Sequence, residues 1–177
     1  MKKFLLFLIT SVALISCSSD DDSGKITNRC EFSTTYSNFY NNQKFELVQN
    51  YNRLEQSAGK NTVFEVKTIP PTCPAKTIDG REFESDKKTY RILFQIHGDL
   101  THVNWSGKEL LVNATPVLEV SDENKRVIGV YLMDEPSNRI TATKKGNKWT
   151  VSYKLGYKDA ITEYEKKGNN QIFSIKK

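Results

Sequence analysis

Two histidines and an aspartate lie close together near the middle of the chain. His97, Asp99 and His102 are the only cluster in the sequence of the side-chain types that metal ions commonly bind. Two imidazoles and a carboxylate can hold zinc or iron with an open coordination position. Their spacing matches no metalloenzyme motif, and His97 falls on the more polar face of a predicted strand. The residues therefore favour a polar loop edge, with a small metal-dependent hydrolase as the alternative.

Paired carboxylates are the second candidate for chemistry. General acid–base catalysis needs two carboxyl groups that converge across a cleft from different environments, and neighbours on one turn do not do this. The pairs in this sequence are Glu82 and Glu84, Asp122 and Glu123, and Asp134 and Glu135. The chain also contains no Gly-x-Ser-x-Gly motif and no phosphate-binding glycine-rich loop. The sequence thus predicts no catalytic constellation and no cofactor.

The two tryptophans have different predicted roles. Trp105 falls in a polar stretch, 98–107, that is typical of a loop, where an indole could stack on a sugar or insert into a partner. Trp149 instead shares one face of a predicted strand with Val151, Tyr153 and Leu155, so it is expected in the core. Trp105, His97 and His102 are the candidate ligand-binding residues.

The first residues have the pattern of an export signal. Lys2 and Lys3 precede an apolar run over 4–15, which is short for a membrane-spanning helix. Leu14-Ile15-Ser16-Cys17 follows and resembles the lipobox of bacterial lipoproteins. The resemblance implies that residues 1–16 are removed and that Cys17 carries the acyl chains, palmitate among them, that anchor the protein to a membrane.

The acidic run after Cys17 bears on where in the cell envelope the protein is located. Ser18-Ser19-Asp20-Asp21-Asp22 resembles the surface-export signal of Bacteroidota lipoproteins and implies an outer-membrane protein exposed on the cell surface. The alternative is a solvated tether that holds a periplasm-facing domain away from an anionic membrane. Either way, residues 17–28 have the composition of a disordered tether, and 29–177 are expected to form a single domain.

Cys30 and Cys73 are the cysteines that remain after lipidation. A compartment beyond the inner membrane is oxidising, so one disulfide between them is expected. The chain-entropy relation gives about 4 kcal/mol for a loop of this length. The prolines around Cys73 make this loop rigid, which favours a structural disulfide over a catalytic thiol.

Charge is unevenly distributed along the predicted mature chain. Removing Lys2 and Lys3 lowers the formal charge from +5 to 24 − 21 = +3, too little to argue for nucleic-acid binding. Residues 18–138 carry 14 basic and 18 acidic side chains, whereas 139–177 carry 10 and 3, a net +7. These C-terminal cations either lie on outward strand faces and turns or form a basic patch for lipid phosphates or an acidic partner.

Hydrophobic periodicity predicts a mainly β (α+β) fold. A helix is predicted over 38–58, because apolar residues recur there at helical spacing; a strand over 44–49 is the competing interpretation. Beyond Gly59 the period is two, which predicts an antiparallel meander of about seven or eight strands. The predicted strands are 63–69, 90–97, 110–120, 127–133, 139–144, 148–155, 160–165 and 171–175, and Asp79-Gly80 predicts a turn between 76–78 and 81–83.

These observations together favour a lipid-anchored envelope protein that works as a non-enzymatic binding or interaction module. Its expected partners are the membrane, through Cys17, and a protein or glycan. One alternative is an inhibitor or immunity lipoprotein acting against an envelope toxin or hydrolase. The other is the small metal-dependent hydrolase mentioned above.

Overall fold

Strands of alternating polarity account for most of the structure. The computed structural model describes residues 33–48, 53–71, 75–76, 82–83, 87–160 and 163–176. In chain order the elements are β1 (Thr34–Val48), β2 (Arg53–Ile69), β3 (Ala75–Lys76), β4 (Glu82–Phe83), β5 (Thr89–Ile96), β6 (His102–Ser106), α1 (Gly107–Ala114), β7 (Val117–Ser121), β8 (Val127–Leu132), β9 (Arg139–Lys145), β10 (Lys148–Lys158) and β11 (Glu163–Ile175). The prediction of a mainly β, single-domain protein is confirmed.

One nine-stranded sheet contains every strand except the short β3–β4 pair, in the order β6-β9-β10-β11-β1-β2-β5-β7-β8. Neighbouring strands are antiparallel, as predicted, apart from β1 and β11. That parallel contact is short, pairing Asn38 with Ser174 and Phe39 with Ile175. It joins the first and last described strands and so makes one sheet of the N-terminal and C-terminal halves.

The sheet curls on itself around an aromatic core. Phe64 of β2 stacks on Phe94 of the neighbouring β5 at 4.8 Å between ring centroids. Phe64 also contacts the edge of Trp149 on β10 at 5.2 Å. In a flat sheet β2 and β10 would be about 14 Å apart, because they are three strand spacings from each other. Their contact therefore requires the two halves of the sheet to face each other.

A short helix covers part of this core. α1 follows β6 directly and buries Leu110 and Ala114 in the main cluster. Its C-cap is Thr115, which has a left-handed φ of 45° and donates its N–H to the carbonyl of Leu111. The extended structure predicted for 110–120 is therefore wrong for its first half, while β7 confirms the second. Pro116 lies directly before β7, since proline cannot continue the helix.

The predicted helix over 38–58 is wrong, because residues 38–48 belong to β1 and residues 53–58 belong to β2. The register between the two strands shifts at a bulge between Asn41 and Gln43, where Asn42 has φ of 56°. A bulge changes which residues face the core beyond it, so the alternation of apolar residues is interrupted and the remaining spacing imitates a helix. The competing prediction of a strand over 44–49 agrees with β1 over residues 44–48, and residue 49 lies outside the described residues.

A second, smaller cluster lies on the opposite face of the sheet. It contains Phe45, Val63 and Leu93, each at most 2% exposed. The side-chain amide of Gln95, on β5, accepts from the N–H of Phe45 and donates to its carbonyl, both at 3.3 Å. This two-point contact fixes the end of β1 against the outer face of β5, which explains how that face is buried.

Other predicted elements have mixed outcomes. The hairpin of 139–144 with 148–155 is confirmed as β9 and β10, and Gly146 in its turn has φ of 58°. The strand over 127–133 was predicted to be central, but β8 is at the edge of the sheet and its residues Val127 and Ile128 are about half exposed. The sequence of β8 has apolar residues on both faces, which is typical of a central strand. Only some of them are buried here: Val130 is in the core, whereas Val127 and Ile128 are exposed to solvent.

The predicted signal peptide (1–16) and tether (17–28) lie outside the described residues, as do Cys17, Cys30 and Cys73. The predictions of lipid attachment and of a disulfide are therefore not tested by the structure. Within the described ranges, no helix has both the length and the apolar character needed to cross a membrane.

Candidate binding site: a cationic trough on the outer face

The predicted histidine cluster does not form a metal site. His97 and Asp99 are exposed in the β5–β6 connection. His102 begins β6, where its Nδ1 lies 3.0 Å from the hydroxyl of Thr143 on β9. Among the residues that the structure describes, no three His, Cys, Asp or Glu side chains come close enough to hold a metal ion. His102 belongs instead to a polar row that continues across the sheet.

The prediction that Trp105 lies in an exposed loop is wrong. Trp105 is on β6, opposite Ile140 of β9, and is 9% exposed within the main core. Residues 102–106 alternate in burial, with Val103 and Trp105 inward. The polar residues between them made the stretch look like a loop. An indole in this position cannot stack on a ligand at the surface, whereas Trp149 is in the core as predicted.

Of the three carboxylate pairs, Asp122–Glu123 and Asp134–Glu135 lie within the described residues, each pair in one connection between strands. Asp122 lies in the β7–β8 turn, where its carboxylate accepts from the N–H of Arg126 at 2.9 Å. Asp134 and Glu135 lie in the connection from β8 to β9. Glu82 is part of β4, and Glu84 lies outside the described residues. Asp122 therefore has the turn role that the sequence predicted.

A polar surface covers the outer face of β6, β9, β10 and β11. Register places Asn104, Thr141 and Ser152 side by side on three adjacent strands. The next row on one side pairs Arg139 with Lys154, and Lys154 in turn pairs with Lys167. Inward residues of the same strands, such as Val151 and Leu155, are fully buried. Strict alternation thus gives these strands an apolar inner face and a cationic, hydroxyl-rich outer face.

Two adjoining depressions on this surface form what we call the cationic trough. One, of about 480 Å³, is lined by residues that include Arg139, Lys154 and Lys167. The other, of about 240 Å³, is lined by residues that include Lys145. Both share Thr141 and Ser152, so the trough runs along the strands from Arg139 to Lys145.

A bulge in β11 forms one wall of the trough. Ser152 lies opposite two residues, Asn169 and Asn170, because the β10–β11 register shifts between Val151 and Tyr153. The Ser152 hydroxyl is 3.3 Å from the Oδ1 atoms of both asparagines and accepts from the N–H of Asn170 at 2.9 Å. Asn170 adopts a left-handed φ of 49°. These contacts hold the two asparagines at the rim of the trough.

The same bulge corrects a prediction. Residues 160–165 and 171–175 were expected to form a hairpin around Gly168-Asn169-Asn170, but β11 runs without interruption from Glu163 to Ile175. Turn-type residues are used here within a strand, because a bulge needs the same left-handed backbone as a turn. Gly168 is also needed for packing, because a Cβ at that position would overlap the ring of Tyr153.

Few carboxylates neutralise the basic side chains of the trough. Glu165 pairs with Lys154 at 3.3 Å and with Lys167 at 2.7 Å. In the described part of the chain, Arg139 and Lys145 have no carboxylate partner. Hydrogen bonds from Lys167 and Lys154 hold the pKa of Glu165 below its usual range, so its carboxylate is ionised at neutral pH. The local charge remains positive.

Tyr153 supports the floor of the trough from the core side. Its ring is 3% exposed, and its hydroxyl donates to the Oε1 of Gln171 at 3.0 Å. Burial raises the pKa of Tyr153 to about 12, so the phenol remains neutral and keeps this donated hydrogen bond. Tyr153 is therefore a structural element beneath the surface rather than a titrating group of the site.

A second ionic cluster lies on the outer face of the other half of the sheet. Arg91 donates to Glu65 at 2.6 Å and to Glu119 at 3.2 Å, and Tyr40 donates to Glu65 at 3.2 Å. Burial raises the pKa of Glu65, but the charge and hydrogen bond of Arg91 outweigh it, and the pKa ends below its usual range. Each group has partners within the cluster, so this arrangement serves to join β1, β2, β5 and β7.

Sequence analysis identified the charge of the trough but not its members. The excess of basic residues over 139–177 was visible, and both Arg139 and Lys145 belong to it. The hydroxyl row was also present as the polar face of the β9–β10 hairpin. What the sequence does not reveal is the bulge that adds Asn169 and Asn170 to the lining of the two depressions.

Comparison of the chain with protein-family models, with curated proteins and with solved structures gave no match in any of the three.

Proposed function

We propose that this protein is a lipid-anchored envelope module that binds an anionic partner, without catalysis, through the cationic trough. The observation that carries the proposal is the trough itself: a concave, cationic, hydroxyl-lined surface whose Arg139 and Lys145 have no acidic partner among the described residues. Charged surfaces raise the local concentration of ligands of opposite sign and speed their association.

Anchoring comes from the N-terminus in this proposal. Cys17 carries the acyl chains, and the tether places the domain at the outer membrane, where it is exposed on the cell surface. Cys30 and Cys73 form a disulfide in that oxidising setting. Metabolic labelling with palmitate, with and without globomycin, tests the anchor. Loss of label in a Cys17→Ala variant is expected, and labelling that persists in that variant would contradict lipidation at this residue.

Crosslinking on living cells followed by mass spectrometry tests the binding role. Wild type and a Lys60→Glu control are expected to capture the same partner, because Lys60 is exposed on β2 and far along the sheet from the trough. Arg139→Glu makes the same change in charge inside the trough and should lose that partner. The same partner captured by Arg139→Glu at wild-type yield would overturn the proposal.

A further inference from the structure

We infer that the occupant of the trough is an acidic polysaccharide that lies lengthwise along β9 and β10. This inference rests on the proposed function and adds the chemical class of the ligand. It is carried by three properties of the trough: its length, the hydrogen-bonding character of its free groups, and the scarcity of exposed apolar side chains in its lining.

The length suits an extended chain with repeated charges. Arg139, Lys154 and Lys167 lie at one end, and Lys145 lies at the other, six residues further along β9. At the rise of an antiparallel strand this separation is about 20 Å. A single small anion could contact only one end. A polymer with negative charges at intervals could contact both ends at once, which raises its effective affinity.

The free groups of the trough are mostly hydrogen-bond donors. Asn169 and Asn170 direct their Oδ1 atoms at Ser152, so their amide NH₂ groups have no partner among the described residues. The guanidinium of Arg139 and the ammonium of Lys145 are also donors without acceptors there. The hydroxyl of Thr141 donates to the Oδ1 of Asn104 at 3.0 Å, so its oxygen can still accept from a ligand hydroxyl. A ligand rich in carboxylates and hydroxyls complements this set, since its acceptors outnumber its donors.

The lining argues against the other polyanions. Protein partners usually bring aromatic and apolar anchors that need matching pockets, but Tyr153, the one aromatic residue of the lining, is 3% exposed. Single-stranded nucleic acids depend on bases stacking on exposed aromatic rings. A membrane surface is flat and would meet the rim of a concave site rather than Thr141 and Ser152 inside it. Sugars, in contrast, can reach these hydroxyls with their own.

Glu165 is expected to lower the affinity of the trough for anions. Its carboxylate bridges the ammonium groups of Lys154 and Lys167, so it competes with any ligand anion at this end. Replacing Glu165 by glutamine removes the competing charge and leaves the shape of the side chain intact. The inference therefore makes two opposite predictions at one end of the trough: weaker binding without the charge of Arg139, and tighter binding without that of Glu165.

The experiment titrates detergent-solubilised full-length protein with polygalacturonate and with dextran sulfate, using neutral dextran, poly-glutamate and mixed micelles of phosphatidylglycerol and the same detergent for comparison. We expect at least one acidic polysaccharide to bind more tightly than any of the comparison ligands. Arg139→Gln should weaken that binding about tenfold, the effect of losing one charge-assisted hydrogen bond. Glu165→Gln should strengthen it, and Lys60→Gln should leave it unchanged. Thermal melting checks that each variant is folded.

The failing outcomes separate this inference from the proposed function. Preference for poly-glutamate or for phosphatidylglycerol micelles, if lost in Arg139→Gln, would overturn the polysaccharide as the ligand and keep an anion-binding trough. Binding of neither acidic polysaccharide, or equal binding of neutral dextran, would likewise overturn the inference. Polysaccharide binding that neither Arg139→Gln nor Glu165→Gln alters would place the ligand elsewhere and overturn the trough as its site.

Discussion

Replacing Asn138 should strongly lower the free energy of unfolding, although the change in side-chain volume is small. Asn138 lies just before β9 and is 1% exposed. Its Nδ2 donates to the carbonyls of Met133 and Gly156 at 3.1 and 2.9 Å, and its Oδ1 accepts from the N–H of Gly156 at 2.6 Å. Its own carbonyl accepts from the N–H of Gly107 at the start of α1. One side chain thus fastens the β8–β9 connection to β10.

The expected loss follows from these contacts. Asn138→Ala removes three side-chain hydrogen bonds, each contributing about 1 kcal/mol. It also leaves the buried N–H of Gly156 without an acceptor, at a cost of about 1–3 kcal/mol. Allowing for partial relaxation, we expect the free energy of unfolding to fall by about 3–5 kcal/mol. That is a large share of the roughly 5–15 kcal/mol typical of a domain.

A second variant tests the hydrogen-bond reasoning against a simple loss of volume. Asn138→Asp keeps an acceptor for Gly156 but turns a carboxylate oxygen toward two carbonyl oxygens. At neutral pH it should destabilise at least as much as Asn138→Ala, although it preserves the shape of the side chain. Protonation of the carboxyl group would restore one donor, so lowering the pH should narrow the gap between Asn138→Asp and wild type.

Urea denaturation of full-length protein followed by tryptophan fluorescence is the assay. Trp105 and Trp149 are both in the core and report its unfolding. Ser137→Ala is the matched control, because Ser137 is the exposed neighbour of Asn138 and should change stability by less than about 0.5 kcal/mol. A loss below about 1 kcal/mol in Asn138→Ala, or an Asn138→Asp variant close to wild type at pH 7, would refute the reasoning.

Two further predictions concern ions and packing. Glu65→Gln should cost about 3 kcal/mol at pH 7, because Arg91 loses a buried partner but keeps Glu119. The folded-state pKa of Glu65 is lowered, so its contribution is present above the unfolded-chain value of about 4.3 and fades as pH falls through the lower folded value. Urea midpoints of wild type and Glu65→Gln should therefore converge below pH 4; a constant gap would contradict this. Gly168→Ala should cost about 1–3 kcal/mol by pressing on the Tyr153 ring, and a Tyr153→Leu background should remove most of that cost in a double-mutant cycle; equal costs in both backgrounds would contradict the contact.

Regular alternation was the part of the fold that the sequence could predict. In β10, Trp149 to Leu155 alternate without exception between core and surface, and the Gly146-Asn147 turn marks where the hairpin ends. No bulge interrupts the pairing of β9 with β10, so the alternation of core and surface residues is visible in the sequence. The place of a strand in the order of the sheet cannot be predicted in this way, because it depends on pairing between residues that are far apart in the sequence. β8 looked central from its apolar residues but lies at an edge.

Bulges explain two of the errors. One near Asn42 broke the alternation of β1 and led to a predicted helix, and one at Asn169–Asn170 divided β11 into an apparent hairpin. In both places an asparagine takes a left-handed φ within a strand. A single sequence offers the same residues for a turn and for a bulge, and the choice between them is made by a partner such as Ser152 across the strand. The two asparagines that the second bulge adds to the lining of the trough could therefore not be identified from the sequence.

Asn138 and Arg139 provide the sharpest separation of folding from binding in this molecule. They are consecutive, yet the first is buried and hydrogen-bonded on three sides, whereas the second is exposed at the end of the trough with no acidic partner among the described residues. Arg139→Gln should therefore weaken ligand binding while the urea midpoint stays near that of wild type. Asn138→Ala should shift the midpoint strongly, and protein that remains folded should bind with an affinity close to normal. If Arg139→Gln destabilised the domain as much as Asn138→Ala, its side chain would have a structural role, and any loss of binding in that variant would carry no information about the trough.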